Sequence, residues 1–199
     1  PADKFGVSVL TNAAAGRPGT YINQAYAIGA PAIAKAAAAE KPVAKPDAAW
    51  ARYVGVYRWD DDEIHVAVLD GKIHLFGGRI NDFNDLLDRH DVYDPKTDTW
   101  MSAAPLPQAR SAGAYTVLDG LIVYAGGECK PGGQPFTPNA FADVTAFDSK
   151  TNAWLRLTDL PQARHAFGAA TLGRVAYFAG GAPVCGGGAT TDFYALTLK

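Results

Sequence analysis

The side chains that could do chemistry here are few, and their spacing limits what kind. Four histidines and two cysteines are spread over 199 residues. Zinc asks for three or four ligands. His65 and His74 face each other across a predicted hairpin, but no third ligand stands beside them. They read as a satisfied, partly buried pair, and no metal or other cofactor is expected. Asp60-Asp61-Asp62-Glu63 could attract calcium but lacks the glycine-punctuated spacing of a calcium loop, so it reads as a solvated turn. Gly186-Gly187-Gly188 has no Lys-Ser/Thr after it and is not a phosphate loop. Arg110 and Arg164 are more suggestive, since both close the string Leu-Pro-Gln-Ala-Arg. Two guanidinium groups at equivalent places can line a polar face and take a carboxylate partner. The plainer reading is that each is held by backbone or acid within its own unit. Arg79 and Glu128, each directly after a Gly-Gly pair, are weaker candidates of the same kind.

The elements that must position these residues are repeated. Leu106-Pro107-Gln108-Ala109-Arg110 returns as Leu160-Pro161-Gln162-Ala163-Arg164, and Gly126-Gly127 returns as Gly180-Gly181, both displaced by 54 positions. Tyr93-Asp94-Pro95-Lys96-Thr97-Asp98-Thr99-Trp100 returns as Phe147-Asp148-Ser149-Lys150-Thr151-Asn152-Ala153-Trp154. A period of about 50 residues marks a unit that cannot bury its own apolar face and stacks on copies of itself. Within the units, Asp70-Gly71 and Asp119-Gly120 join apolar runs with the strongest short hairpin signal, and Gly173-Arg174 suits a type II′ turn. Asp-Pro-Lys-Thr and Asp-Ser-Lys-Thr supply turn formers between the third and fourth strands. Trp100 and Trp154, paired with Tyr93 and Phe147, are large enough to fill the wedge between neighbouring units.

The order apolar strand, turn, apolar strand, Gly-Gly, variable loop, aromatic-Asp, Trp resembles the kelch repeat, whose units are four-stranded blades of a β-propeller. The resemblance implies a mainly β protein, a partial propeller of about three blades over residues 63–199, with the third lacking its closing Trp. Repeat residues are then scaffold by default, and binding falls to the loops at one end of the blades. Those loops are residues 79–88, 128–143 and 182–192. The second is the longest and carries the exposed-looking Phe136 among prolines and glycines. The expected binding set is therefore Arg79, Arg110, Glu128, Phe136 and Arg164. Cys129 and Cys185 sit in equivalent loops that neighbouring blades would place side by side. Both a disulfide and two separate thiols fit, and a bridge would imply an oxidising compartment.

Residues 1–62 do not follow the repeat. Residues 5–10 read as a strand, and 21–40 as a helix kinked at Gly29 and Pro31. A linker with Pro42 and Pro46 follows, then Asp47 as N-cap of a short helix over 48–53. Gly6-Val7-Ser8-Val9-Leu10-Thr11-Asn12 with its Ala-rich follower resembles the last strand and C-terminal helix of penicillin-binding-protein-like serine hydrolases, which include class C β-lactamases. Tyr53-Val54-Gly55-Val56-Tyr57-Arg58, followed by residues 63–68 and the Asp70-Gly71 turn, resembles the lipocalin-like domain attached behind such hydrolases. That family's nucleophile is the serine of Ser-x-x-Lys. Here Ser8, Ser102, Ser111 and Ser149 are followed at that spacing by Thr11, Pro105, Ala114 and Asn152. Tyr21-Ile22-Asn23 fits the family's Tyr-x-Asn motif but lies after the terminal strand, not where the family places its catalytic tyrosine. The alternative reading is thus a hydrolase tail, without its active site, fused to kelch repeats.

Composition narrows the classes. With 48% hydrophobic and 19% charged residues a packed core is expected, and a net charge of −2 with interspersed signs argues against a nucleic-acid partner. No run of 18 apolar residues occurs, so no transmembrane helix is expected. The only methionine is Met101, which points to a cut or truncated first residue and to a fragment of a longer protein. Three blades leave open edges where chains can self-associate. The expected function is a non-catalytic binding module that takes a protein or small-molecule ligand at its blade loops, with an extracytoplasmic location favoured.

Overall fold

The structure, a computed structural model, describes residues 49–59, 62–82 and 84–198. The expected N-terminal strand and helix, the Asp47 cap and the Tyr21-Ile22-Asn23 motif lie outside these residues. Of the short helix expected over 48–53, the described part is a three-residue 3-10 turn, Ala51–Tyr53. Val54 is already extended and a strand begins at Gly55, so the helical turn ends at Tyr53.

Twelve strands follow among the described residues. The first sheet runs in order β1 (Gly55–Trp59), β2 (Asp62–Leu69), β3 (Lys72–Arg79), β4 (His90–Asp94) and β5 (Thr99–Ser102). The second holds β6 (Ala114–Leu118), β7 (Leu121–Gly127), β8 (Phe141–Asp148) and β9 (Ala153–Asp159). The third holds β10 (Gly168–Leu172), β11 (Val175–Ala179) and β12 (Phe193–Leu196). Every pairing is antiparallel, and each sheet is a blade of a partial β-propeller.

The turns are those the residues demand. Asp70-Gly71 and Asp119-Gly120 both take positive φ at both positions, as a type I′ hairpin requires, while at Gly173-Arg174 only the glycine does. Asp94 Oδ1 accepts the Lys96 N–H at 3.0 Å and Asp148 Oδ1 the Lys150 N–H at 2.9 Å, so both aspartates bracket the turn into the outer strand.

Two apolar layers hold the blades together. Phe76, Ala67 and Leu69 of the first blade pack on Ile122, Tyr124 and Phe147 of the second. The second blade's other face, with Leu118, Val123, Val144 and Ala146, packs on Phe167, Ala176 and Phe178 of the third. The polar backbone is stitched in parallel with these layers. Gly78 donates its N–H to the Arg110 carbonyl at 2.9 Å, and Gly127 donates to the Arg164 carbonyl at 2.9 Å. One hydrogen bond thus recurs at both blade junctions.

The strand β1 is an addition to the repeat. It pairs with the free edge of β2, the edge nearest the other blades' first strands, since β6 touches both β2 and β10. The Tyr115 hydroxyl of the second blade lies within hydrogen-bond reach of both the Gly55 carbonyl, at 3.1 Å, and the Val66 carbonyl, and its single proton bridges β1 and β2 to the second blade.

Candidate functional site

Strands β3 and β7 finish, and β2, β6 and β10 begin, at the same end of the molecule; the hairpin turns occupy the opposite end. The long loops therefore gather at one end, and the charged residues at their roots meet there. Arg79 ends β3 and its Nη1 lies 2.9 Å from Glu128 Oε2, just past β7. Glu128 Oε1 lies 3.4 Å from His165 Nε2, just ahead of β10. All three side chains are buried. One residue from each blade contributes, so a single polar network spans the three repeats. Burial holds the His165 pKa below its ordinary value against the opposing pull of Glu128.

Beside this network stands Glu63, also buried. Its Oε1 accepts the Ala112 N–H at 2.5 Å and its Oε2 takes Arg58 Nη2 at 2.7 Å. Glu63 thereby ties the start of the first blade to the start of the second. Among the described residues, no three His, Cys, Asp or Glu side chains come together to hold a metal ion.

Arg110 and Arg164 do not open onto a shared polar face. Arg110 is 1% exposed; it donates to the Asp143 carbonyl at 3.0 Å and to Thr145 Oγ1 at 2.6 Å, with its guanidinium over the Tyr124 ring. Arg164 is 0% exposed and donates to the Gly180 carbonyl at 2.8 Å, Asp192 Oδ2 at 2.9 Å and Tyr194 Oη at 2.7 Å. Each guanidinium is held by its own blade, where it ties the Gly-Gly strand to the strand beyond it. The two arginines shape the loop roots from inside.

Phe136 is placed differently. It is 75% exposed although apolar, and its φ is +60°, a conformation rarely taken by a bulky residue. The surrounding loops hold it there. Cys129 and Cys185 are joined by a disulfide with Cα atoms 4.8 Å apart. Phe136 donates its N–H to the Cys185 carbonyl at 2.6 Å, and Cys185 donates to the Thr137 carbonyl at 2.8 Å. A Cβ on Gly187 would sit 2.9 Å from the Phe136 ring, so the glycine lets the ring lie close over its backbone. Within its own loop Lys130 donates to the Asn139 carbonyl at 2.8 Å, closing the base. The result is one platform made from two blades' loops, with an aromatic ring at its crown.

Other expectations are corrected. His65 does not meet His74: across the hairpin His65 stands opposite Phe76, and His74 opposite Ala67. The partner of His74 is His90, with Nδ1 and Nε2 2.9 Å apart. The acidic run is not one solvated turn, since Glu63 is buried and Asp62 Oδ1 accepts the Asn81 N–H at 2.7 Å. Neither Glu63 nor His165 carries a landmark in the sequence that marks it for these contacts. A signal did exist for Arg79 and Glu128, because opposite charges occupy the same place after Gly-Gly in adjacent repeats.

Comparison with known proteins matches residues 64–107 to the family model of the Kelch motif. Kelch-like protein 40 from Xenopus tropicalis is 32% identical over 112 residues, covering 56% of this chain and 17% of that protein. Beta-scruin from Limulus polyphemus is 29% identical over 123 residues, covering 62% of this chain and 13% of that protein. Among solved structures, that of YjhT aligns with a TM-score of 0.57 at 17% identity, over 67% of this chain and 48% of that one. This chain thus spans less than half the length of each of these matches. The comparisons support a kelch-repeat protein, and the stretch 64–76, which the sequence alone left between kelch and lipocalin-like readings, falls within the kelch match.

Proposed function

We propose that this chain of kelch repeats is a non-catalytic interaction module that binds a protein or peptide segment on the loop platform crowned by Phe136. The observation that carries the reading is an exposed aromatic ring held at positive φ by a disulfide and two hydrogen bonds between loops. A strained backbone that its surroundings hold in place is a pointer to function. A rigid aromatic also gives up little conformational freedom on binding, which is why such residues serve as interface anchors. Arg79 and Glu128 support the loops from below, and Arg110 and Arg164 brace their roots. The disulfide fits a protein that folds in an oxidising compartment, so the proposed location is extracytoplasmic.

The test is selection of binding peptides from a displayed library on the purified chain. Selected peptides should lose about tenfold or more in affinity to Phe136→Ala. They should keep it with Arg174→Ala, whose exposed Asp119 ion pair lies at the hairpin end. Peptides indifferent to Phe136→Ala would place recognition elsewhere, and hydrolysis of model esters or peptides by the purified chain would overturn the non-catalytic reading.

A further inference from the structure

The blade interface leaves a mould of itself on both outer faces. At the first junction, Trp154 on β9 packs on Phe76 and His90 of the preceding blade, with ring centroids 5.8 and 5.7 Å apart. Phe76 and His90 are a cross-strand pair on β3 and β4. The position of Trp154 in the first blade is Trp100, since both stand opposite the repeat's aromatic, Tyr93 or Phe147. The position of the Phe76–His90 pair in the third blade is Ala179–Phe193. The equivalence is fixed by two matching hydrogen bonds, Gly77 N–H to the Arg89 carbonyl and Gly180 N–H to the Asp192 carbonyl, each at 3.0 Å.

Trp100 and Phe193 lie on the two outer faces of the three described sheets and are 60% and 63% exposed. Beside Trp100 lies an open depression of about 650 Å³ whose lining includes Ile64, Leu75, Leu87 and Met101 together with the ion-paired Arg89 and Asp91. Phe193 projects from the opposite face of the molecule, stacked on Tyr177 at 5.4 Å. One end therefore carries the apolar knob and the other the apolar hollow, at the places where consecutive blades already meet inside the chain.

We propose that a second copy of this chain covers both faces: Phe193 of each copy seats in the Trp100 hollow of the other, closing a two-fold ring. Two copies of three sheets supply six, within the roughly four to eight blades that propellers use. The aligned part of this chain fills 48% of the YjhT chain, so two such parts make one assembly of that size. The contact is head-to-tail, and it closes because the two-fold axis uses it twice. It does not depend on the loop platform, and its failure would leave the peptide-binding reading standing.

The test is the solution mass of the purified chain by light scattering, with circular dichroism as the check on folding. A two-chain species is expected. Trp100→Glu and Phe193→Glu should each weaken it at least tenfold while leaving the folded spectrum intact. Mixing the two variants should restore a two-chain species, because a mixed pair puts both substitutions in one contact and leaves the other wild type. A folded wild-type monomer at about 100 μM, well above the concentration at which micromolar contacts form, would overturn the proposal. So would a species larger than two chains, a Phe193→Glu variant that still pairs, or a mixture that fails to recover.

Discussion

His74 and His90 form a short chain of buried rings with a single consistent arrangement of protons. His90 Nδ1 donates to the Ala104 carbonyl at 3.3 Å, which leaves its Nε2 to accept from His74 Nδ1. Burial pushes both pKa values down to about 4, with the neighbouring His90 charge a further cause at His74. In the unfolded chain each ring would titrate at about 6.5, so between these values the unfolded state binds more protons. The stability this contributes is whole above pH 6.5 and drains as pH falls toward 4. Urea titrations should show a decline of about 1.5 kcal/mol per ring between pH 6.5 and 5. His74→Leu should remove about one ring's share of that slope, and an unchanged slope would reject the assignment. This pair was not legible beforehand, because the hairpin suggested His65 as the partner and nothing local announces a contact with the next strand over. Arg110 and Arg164 were legible as repeat residues, and of the two roles the sequence allowed, a polar face for a ligand or a hold within the blade, the contacts are those of the second. Spacing shows that two guanidinium groups are equivalent, and only the strand beyond each shows whether it faces a ligand or its own carbonyls.

Glycines separate hairpin from junction at the scale of the elements. Gly120 has φ +79° with nothing within 4 Å of where a Cβ would go, whereas at Gly126, φ +64°, the Cβ would meet the Arg164 carbonyl oxygen at 2.4 Å. Gly120→Ala should therefore cost roughly 1–2 kcal/mol, the strain of the left-handed conformation alone. Gly126→Ala adds displacement of the third blade and should cost more than about 3 kcal/mol. Thermal denaturation of the two variants compares them, and equal losses would show that the junction yields easily. Hairpins, Gly-Gly pairs and Asx turns were readable from sequence because each requires a particular backbone conformation that few residues supply. The strand β1 was not, since Gly55-Val56-Tyr57 carries no repeat landmark and its place is fixed by the Tyr115 hydroxyl of another blade.

For the molecule as a whole, the repeat period was enough to place three sheets and their order, because a unit with one apolar face has to stack. It could not decide the disulfide, which depends on whether two irregular loops turn toward each other. Closing a loop of 56 residues, the bridge should contribute about 4 kcal/mol on the chain-entropy model. Urea midpoints with and without reductant measure this, and loss of peptide binding on reduction should accompany the drop if the platform needs its clamp. The network of Arg79, Glu128 and His165 has a different kind of consequence. Repeat arrays commonly diversify by duplicating, deleting or exchanging units, which works when every seam is alike. Here the seams differ: a cation ends the first unit's inner hairpin, an anion the second's, and an imidazole opens the third. Swapping two units would bring like charges together or strand one of them in the interior. The order of the units is thus written into the charges at their seams, and a permuted array would not pack as this one does.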